Sequence, residues 1–144
     1  MQEDLTSEQL AQLLPAELTA NANAAGIVGY DADGNVTVVE IRFIFEQEQG
    51  PMAITMTALS PTPMLRYAGE GNAEISHRNG TDFVLLHGRH ERGRVLSAEA
   101  TLNGIACSFT MMSGKYSTAE MKAVFETVLD AFAGIYLDLS AVHF

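Results

Sequence analysis

The chain has 144 residues, 47% of them hydrophobic, and this length and composition suit one domain with a core of ordinary size. Acidic residues outnumber Lys and Arg by 18 to 8, which gives a formal net charge of -10 at pH 7. So large a negative charge opposes non-specific binding to nucleic acid or to an anionic membrane surface. The single cysteine, Cys107, excludes an internal disulfide, and its alternation with apolar residues is typical of a small core residue rather than of a reactive thiol.

The first predicted element is a helix within an N-terminal helical segment, residues 1–20. Thr6 and Gln9 have the spacing of a capping box, and Pro15 with the small residues after it is expected to end the helix. The start of the chain is acidic and helix-like, whereas a secretion signal is basic and then apolar, and no apolar run reaches membrane-spanning length. We therefore expect no membrane contact by residues 1–144. The location is expected to be extracytoplasmic if the domain is excised from a longer precursor, or else cytoplasmic.

From Gly26 onward apolar residues recur at every second position, which predicts an antiparallel sheet over residues 26–112. Two Asn-Gly pairs, Asn79-Gly80 and Asn103-Gly104, predict β-hairpin turns, because both residue types accept a positive φ. The expected strands are 26–30, 36–45, 52–59, 73–78, 81–90, 95–102 and 105–112, with a further short strand near 65–67. The pattern does not place the rest of residues 60–72 or residues 135–144.

The closing element is predicted to be an amphipathic helix over residues 117–134. Ser117 and Glu120 form a second capping box, and apolar residues follow at helical spacing up to Gly134. An antiparallel sheet with one apolar face would receive this helix. The expected fold class is therefore α+β: an antiparallel β-sheet meander of about six to seven strands, with an N-terminal helix and a C-terminal amphipathic helix packed on one face. Residues 1–144 are expected to form a single domain.

Residues 77–94 reverse the charge of the chain locally, since they hold three of its 4 His and four of its 8 Lys and Arg residues. The candidate binding residues taken from this stretch are His87, Arg89, His90, Arg92 and Arg94. They would bind a small anionic ligand or an acidic region of a protein partner. The alternative is a solvated hairpin rim, whose arginines balance acids such as Glu40, Glu74 and Glu99 across neighbouring strands.

Metal and catalytic sites are not indicated. Residues 31–35 look like the start of a calcium-binding loop, but Val36 and Arg42 stand where that loop needs Gly and Glu, which favours a hairpin turn. His87 and His90 are three apart in a predicted strand and so point to opposite faces, which disfavours zinc. No Ser or Cys lies in a nucleophile-elbow pattern, and Gly-rich phosphate loops are absent. We expect no catalytic residue, no metal and no cofactor.

The sheet face opposite the helices, called the open face below, is predicted to carry small polar side chains. Its expected residues are Thr55, Thr57, Ser97, Glu99, Thr101, Ser108 and Thr110. Such a surface is either an ordinary exposed sheet face or a place where a ligand or partner binds.

Three segments near the end of the chain carry a family resemblance: residues 98–105 (AEATLNGI), 108–114 (SFTMMSG) and 117–121 (STAEM). They resemble the extracytoplasmic domain at the C-terminus of bacterial membrane-anchored anti-sigma factors and of some lipoproteins, with sheets in the style of LolA and MucB. Residues 125–132, a helix that closes an antiparallel sheet, are also similar to PsbP and Mog-type domains. Both resemblances imply non-catalytic binding or sensing, and neither supplies a site residue.

The sequence therefore predicts a non-enzymatic binding or sensing module whose partner is an unknown protein or a small anionic ligand. Two other classes stay open. A structural or oligomerising accessory domain would show a large apolar interface, and a small hydrolase would show a cleft with a clustered nucleophile and base.

Overall fold

Eight antiparallel strands form one sheet in the computed structural model, which describes residues 2–59 and 73–142. The strands are β1 (Gln2–Asp4), β2 (Asn23–Tyr30), β3 (Val36–Phe45), β4 (Met52–Leu59), β5 (Glu74–Arg78), β6 (Thr81–His90), β7 (Gly93–Leu102) and β8 (Ile105–Ser113). The helices are α1 (Ser7–Leu13), α2 (Ala16–Asn21) and α3 (Thr118–Phe132), followed by a 3-10 helix, Leu139–Val142. The strand order is β1-β2-β3-β4-β8-β7-β6-β5, so β4 and β8 pair at the centre. The predicted α+β class with an antiparallel sheet is confirmed.

The N-terminal segment differs from the prediction, and the strand count is correspondingly higher. Residues 2–4 form β1 and pair with β2 rather than continuing a helix, and β2 itself begins at Asn23. Pro15 does not simply end a helix: it is the N-cap of α2, where the fixed φ of proline is suited to a helix start. A strand of three residues is too short to show the alternation of apolar and polar side chains, so the sequence pattern did not predict β1. The short strand predicted near 65–67 lies outside the described residues.

One face of the sheet is buried under the helices. Alternate side chains of the central strands point to this side, and the register aligns Ile41 with Met56 and Met56 with Phe109. α3 packs against β4, β7 and β8, and its buried stripe includes Phe125 and Phe132. The predicted capping box holds the start of this helix, as a second one holds the start of α1. The helix-facing side of the sheet, called the helix face below, is therefore the core side.

Both Asn-Gly turns have the predicted geometry, with φ values of 43° and 50° at Asn79 and Asn103. Their side chains have a further role, because each amide binds the segment that follows α3. Asn79 Nδ2 donates to the carbonyl of Ala133 at 3.2 Å, and Asn103 Nδ2 donates to the carbonyl of Leu137 at 3.0 Å. The two turns thus hold the C-terminal segment against the end of the sheet.

Cys107 is a core residue, as predicted. Its side chain lies on the helix face of β8, 1% of the residue is exposed, and burial raises the pKa of its thiol to about 12. Since the thiolate is the reactive form, the folded protein holds this cysteine in an inert state.

We expect Cys107 in the native protein to react with a thiol-disulfide reagent at pH 8 at least about 100-fold more slowly than in the denatured chain, because the thiolate is scarce and shielded. Absorbance of the released thiol would be followed with and without guanidinium chloride. Equal rates in the two samples would contradict the buried position.

Candidate functional site

The tip of the β6–β7 hairpin lies directly against the loop that leads into α3. The turn is Glu91-Arg92, and Gly93 opens β7 with a φ of 137°. A Cβ atom added to Gly93 would lie 2.3 Å from the carbonyl oxygen of Ser113, and one added to Gly114 would lie 2.8 Å from that of Arg92. Such close backbone approach requires glycine at both positions. The hairpin tip and the start of α3 are therefore fixed beside each other.

Three of the five predicted site residues come together beside this contact. Arg89 and Arg94 are direct partners across β6 and β7, and His87 is the partner of Leu96 on the same helix face. Arg92 is exposed in the turn. His90 is the register partner of Gly93, but its side chain lies outside the described part of the structure.

The three side chains line a pocket of about 250 Å³, together with Gly88, Val95, Leu96 and Thr118. Arg94 is held in place, since its Nη1 donates to the carbonyl oxygen of Tyr116 at 3.1 Å. The hydroxyl of Tyr116, a buried residue, donates in turn to the carbonyl oxygen of Gly50 at 2.5 Å. The guanidinium group of Arg94 is thus positioned by Tyr116, a residue of the core, whereas Arg89 is exposed to solvent.

The first turn of α3 forms one wall of the pocket through Thr118. The capping box uses two backbone groups: Glu120 N donates to Ser117 Oγ at 3.1 Å, and Ser117 N donates to Glu120 Oε1 at 3.0 Å. The bond from the Ser117 backbone N–H, together with one from the Ser117 side chain, holds the pKa of the Glu120 carboxyl below its usual value, so this group is negatively charged at pH 7. The N–H groups of Thr118 and Ala119 lie too early in the helix to have an intrahelical partner.

The acids named in the alternative do not lie beside the pair formed by Arg89 and Arg94. Glu40 and Glu99 alternate with buried residues and point to the open face, and Glu74 is the register partner of Leu85. Within the described residues Arg89 makes no hydrogen bond or ion pair, and Arg94 binds only a carbonyl.

A different arginine of the same stretch is paired with acids. Arg78 binds two carboxylates of α3, those of Glu126 at 3.2 Å and Asp130 at 2.5 Å. Sequence spacing could not show this pairing, because the partners are about fifty residues apart.

The open face has the polar side chains predicted for it. They form two rows across β4, β8 and β7, namely Thr55, Thr110 and Ser97, and next to it Thr57, Ser108 and Glu99. Glu40 continues the second row, but it lies three strands from Glu99, about 14 Å away at the usual strand spacing, which is too far for a carboxylate pair sharing one reaction. Ser97 lies on this face and His87 on the other, so they do not form a nucleophile and base.

The turn at residues 31–35 is a hairpin turn. The Asp31 carboxylate accepts from the backbone N–H groups of Asp33 and Asn35, both at 2.9 Å, and these bonds lower the pKa of its carboxyl. In residues 2–59 and 73–142 no group of three or more His, Cys, Asp or Glu residues is arranged to hold a metal ion.

Comparisons of the chain with models of protein families, with curated proteins and with solved structures found no match. Among the described elements, no helix is both long enough and apolar enough to cross a lipid bilayer.

Proposed function

We propose that this protein is a non-enzymatic binding module, and that it binds a small anion in the pocket lined by His87, Arg89 and Arg94. The observation that carries the proposal is the direct pairing of Arg89 with Arg94 across two strands. Like charges in such a pair destabilise a sheet, and no carboxylate in the described chain neutralises either residue. An anion seated between the two guanidinium groups would remove this repulsion.

The chemistry of the pocket supports an oxyanion. A guanidinium group presents paired N–H donors that match the oxygens of a phosphate or carboxylate, and such charge-assisted hydrogen bonds are stronger than neutral ones. Thr118 brings the start of α3 to one wall of the pocket, and with it the positive end of the helix dipole, which the Glu120 carboxylate offsets in part. Because the protein as a whole has a charge of -10, this local positive charge favours a small anion over an extended polyanion.

A binding role is also what the sequence resemblance to extracytoplasmic anti-sigma factor domains implies, and on that basis we propose an extracytoplasmic location if the domain is excised from a longer precursor. A hydrolase has less support, because Ser97 and His87 lie on opposite faces of the sheet and Cys107 is buried with a pKa of about 12. We therefore assign the pocket to recognition rather than to a reaction.

The variant R89Q/R94Q tests the proposal. With inorganic phosphate as the probe, calorimetric titration at constant ionic strength should show saturable binding to the wild type and at least about 10-fold weaker binding to the variant, since two charged hydrogen-bond donors are lost.

The control is Arg42→Gln, which removes one positive charge on the open face and should leave phosphate affinity unchanged. Thermal unfolding of all three proteins checks that they remain folded. Absence of saturable binding to the wild type, or an equal loss in the Arg42 variant, would contradict the proposal.

A further inference from the structure

The C-terminal segment, residues 133–139, is held by both Asn-Gly turns of the sheet. Asn79 Nδ2 donates to the carbonyl oxygen of Ala133 at 3.2 Å, and Asn103 Nδ2 donates to that of Leu137 at 3.0 Å. Leu137 is buried, and the 3-10 helix that follows contacts α1 and β3. The two side-chain amides therefore set where the end of the described chain joins the core.

Asn79 and Asn103 are the only asparagines of the chain that precede glycine. An Asn-Gly pair favours deamidation, because glycine has no side chain to hinder attack by its backbone nitrogen on the Cγ atom of the asparagine. The attack closes a five-membered ring and releases the side-chain nitrogen as ammonia. Water then opens the ring and leaves a carboxylate on an aspartyl or an isoaspartyl residue. The net reaction is hydrolysis of one amide, with no oxidation or reduction.

Both turns are accessible to this reaction. Asn79 and Asn103 are exposed, and so are the glycines that follow them, Gly80 and Gly104. A Cβ atom added to either glycine would meet nothing within 4 Å. Water therefore has access to both turns, and no group crowds either glycine on the side where a side chain would lie.

Deamidation reverses the chemistry of each contact with the C-terminal segment. The Nδ2 atom is the donor in both hydrogen bonds, whereas an ionised carboxylate only accepts. The carbonyl oxygens of Ala133 and Leu137 are acceptors too, so each hydrogen bond is replaced by a repulsive contact. Either the segment or the new side chain must then move, and the bond is lost in both cases. An isoaspartyl product also lengthens the backbone of the turn by one carbon atom.

We infer that Asn79 and Asn103 are sites of deamidation, and that the reaction at either turn releases the C-terminal segment from the end of the sheet. The anion pocket lies at the opposite end, because successive turns between antiparallel strands alternate between the two ends of a sheet. The inference is therefore independent of the proposed function.

Incubation of the purified protein at pH 8 and 37 °C, followed by peptide mass spectrometry, tests the assignment of the sites. Peptides that contain Asn79 or Asn103 should gain about 1 Da at least about 10-fold faster than the peptide that contains Asn23, an exposed asparagine that precedes alanine. A rate at either turn no higher than the rate at Asn23 would overturn the assignment of that site.

The variants Asn79→Asp and Asn103→Asp test the release. Hydrogen exchange measured by mass spectrometry should be at least about 5-fold faster in residues 134–139 than in the wild type, because a hydrogen bond is lost and two acceptors face each other. The matched control is Asn23→Asp, the same change at an exposed position of β2, which should leave this exchange unchanged. Unchanged exchange in the two variants, or an equal increase in the control, would overturn the release.

Exchange in β4 and β8, measured in the same samples, separates release from unfolding. These strands pair at the centre of the sheet and should keep their protection in every variant. Loss of protection there as well would show general unfolding, and would overturn a release that is confined to the C-terminal segment.

Discussion

Replacing Phe132 with alanine is expected to lower the free energy of unfolding by about 3–5 kcal/mol. Phe132 closes α3 at 0% exposure, and its ring contacts two other buried rings: that of Phe109 at a centroid distance of 5.3 Å and that of Phe43 at 6.1 Å. Truncation removes these contacts and leaves a cavity between the helix and the centre of the sheet. The surrounding strands cannot close it, because their register is held on both sides.

Denaturation in urea, monitored by circular dichroism, would measure this loss. The control Phe132→Leu retains most of the volume and should cost less than about 1.5 kcal/mol. If the alanine variant cost no more than the leucine variant, Phe132 would not be a central residue of the core.

The second large effect is expected at Gly93. Alanine there should cost about 3 kcal/mol or more, because a φ of 137° is strained for any residue with a side chain and the new methyl group would lie 2.3 Å from the Ser113 carbonyl oxygen. Relief of that clash requires the hairpin tip to move away from the loop before α3. The displaced hairpin would carry Arg89 and Arg94 with it, so phosphate binding should weaken as well.

Gly80→Ala is the matched control for Gly93→Ala. Gly80 also has a positive φ, 83°, but an added Cβ atom would meet nothing within 4 Å, so its substitution should cost only about 1 kcal/mol. Urea denaturation and phosphate titration would be measured for both variants. Equal costs at the two positions would show that the contact with Ser113 does not constrain the hairpin tip.

The local elements of this protein could be predicted from the sequence because their causes are local. Alternation of apolar residues identified seven of the eight strands of the described chain, the Asn-Gly pairs identified two turns, and Ser117 with Glu120 identified the start of α3. The prediction missed the strand Gln2–Asp4 and the helix α2, which begins directly after Pro15. Gln2–Asp4 is a strand because it pairs with a distant strand, β2. The helix α2 has six residues, which is too short to show a helical period in the sequence.

The candidate site could be predicted only as a set of residues. The local reversal of charge identified Arg89 and Arg94. Their direct pairing depends on the register between β6 and β7, and a slip of one residue would remove it. The contribution of Thr118 to the pocket was not predicted, because this residue carries no signal in the sequence near the arginines.

The sequence by itself determined where the chain turns, which residues of each strand face the core and where α3 begins, since these features depend on backbone preferences and on side-chain period. Only the tertiary structure decided that β4 pairs with β8, that Arg78 binds α3, and that the hairpin tip lies against the helix start. Such contacts join residues far apart in the chain. Their free energy depends on how whole surfaces fit together, and a pattern within one segment contains no information about that fit.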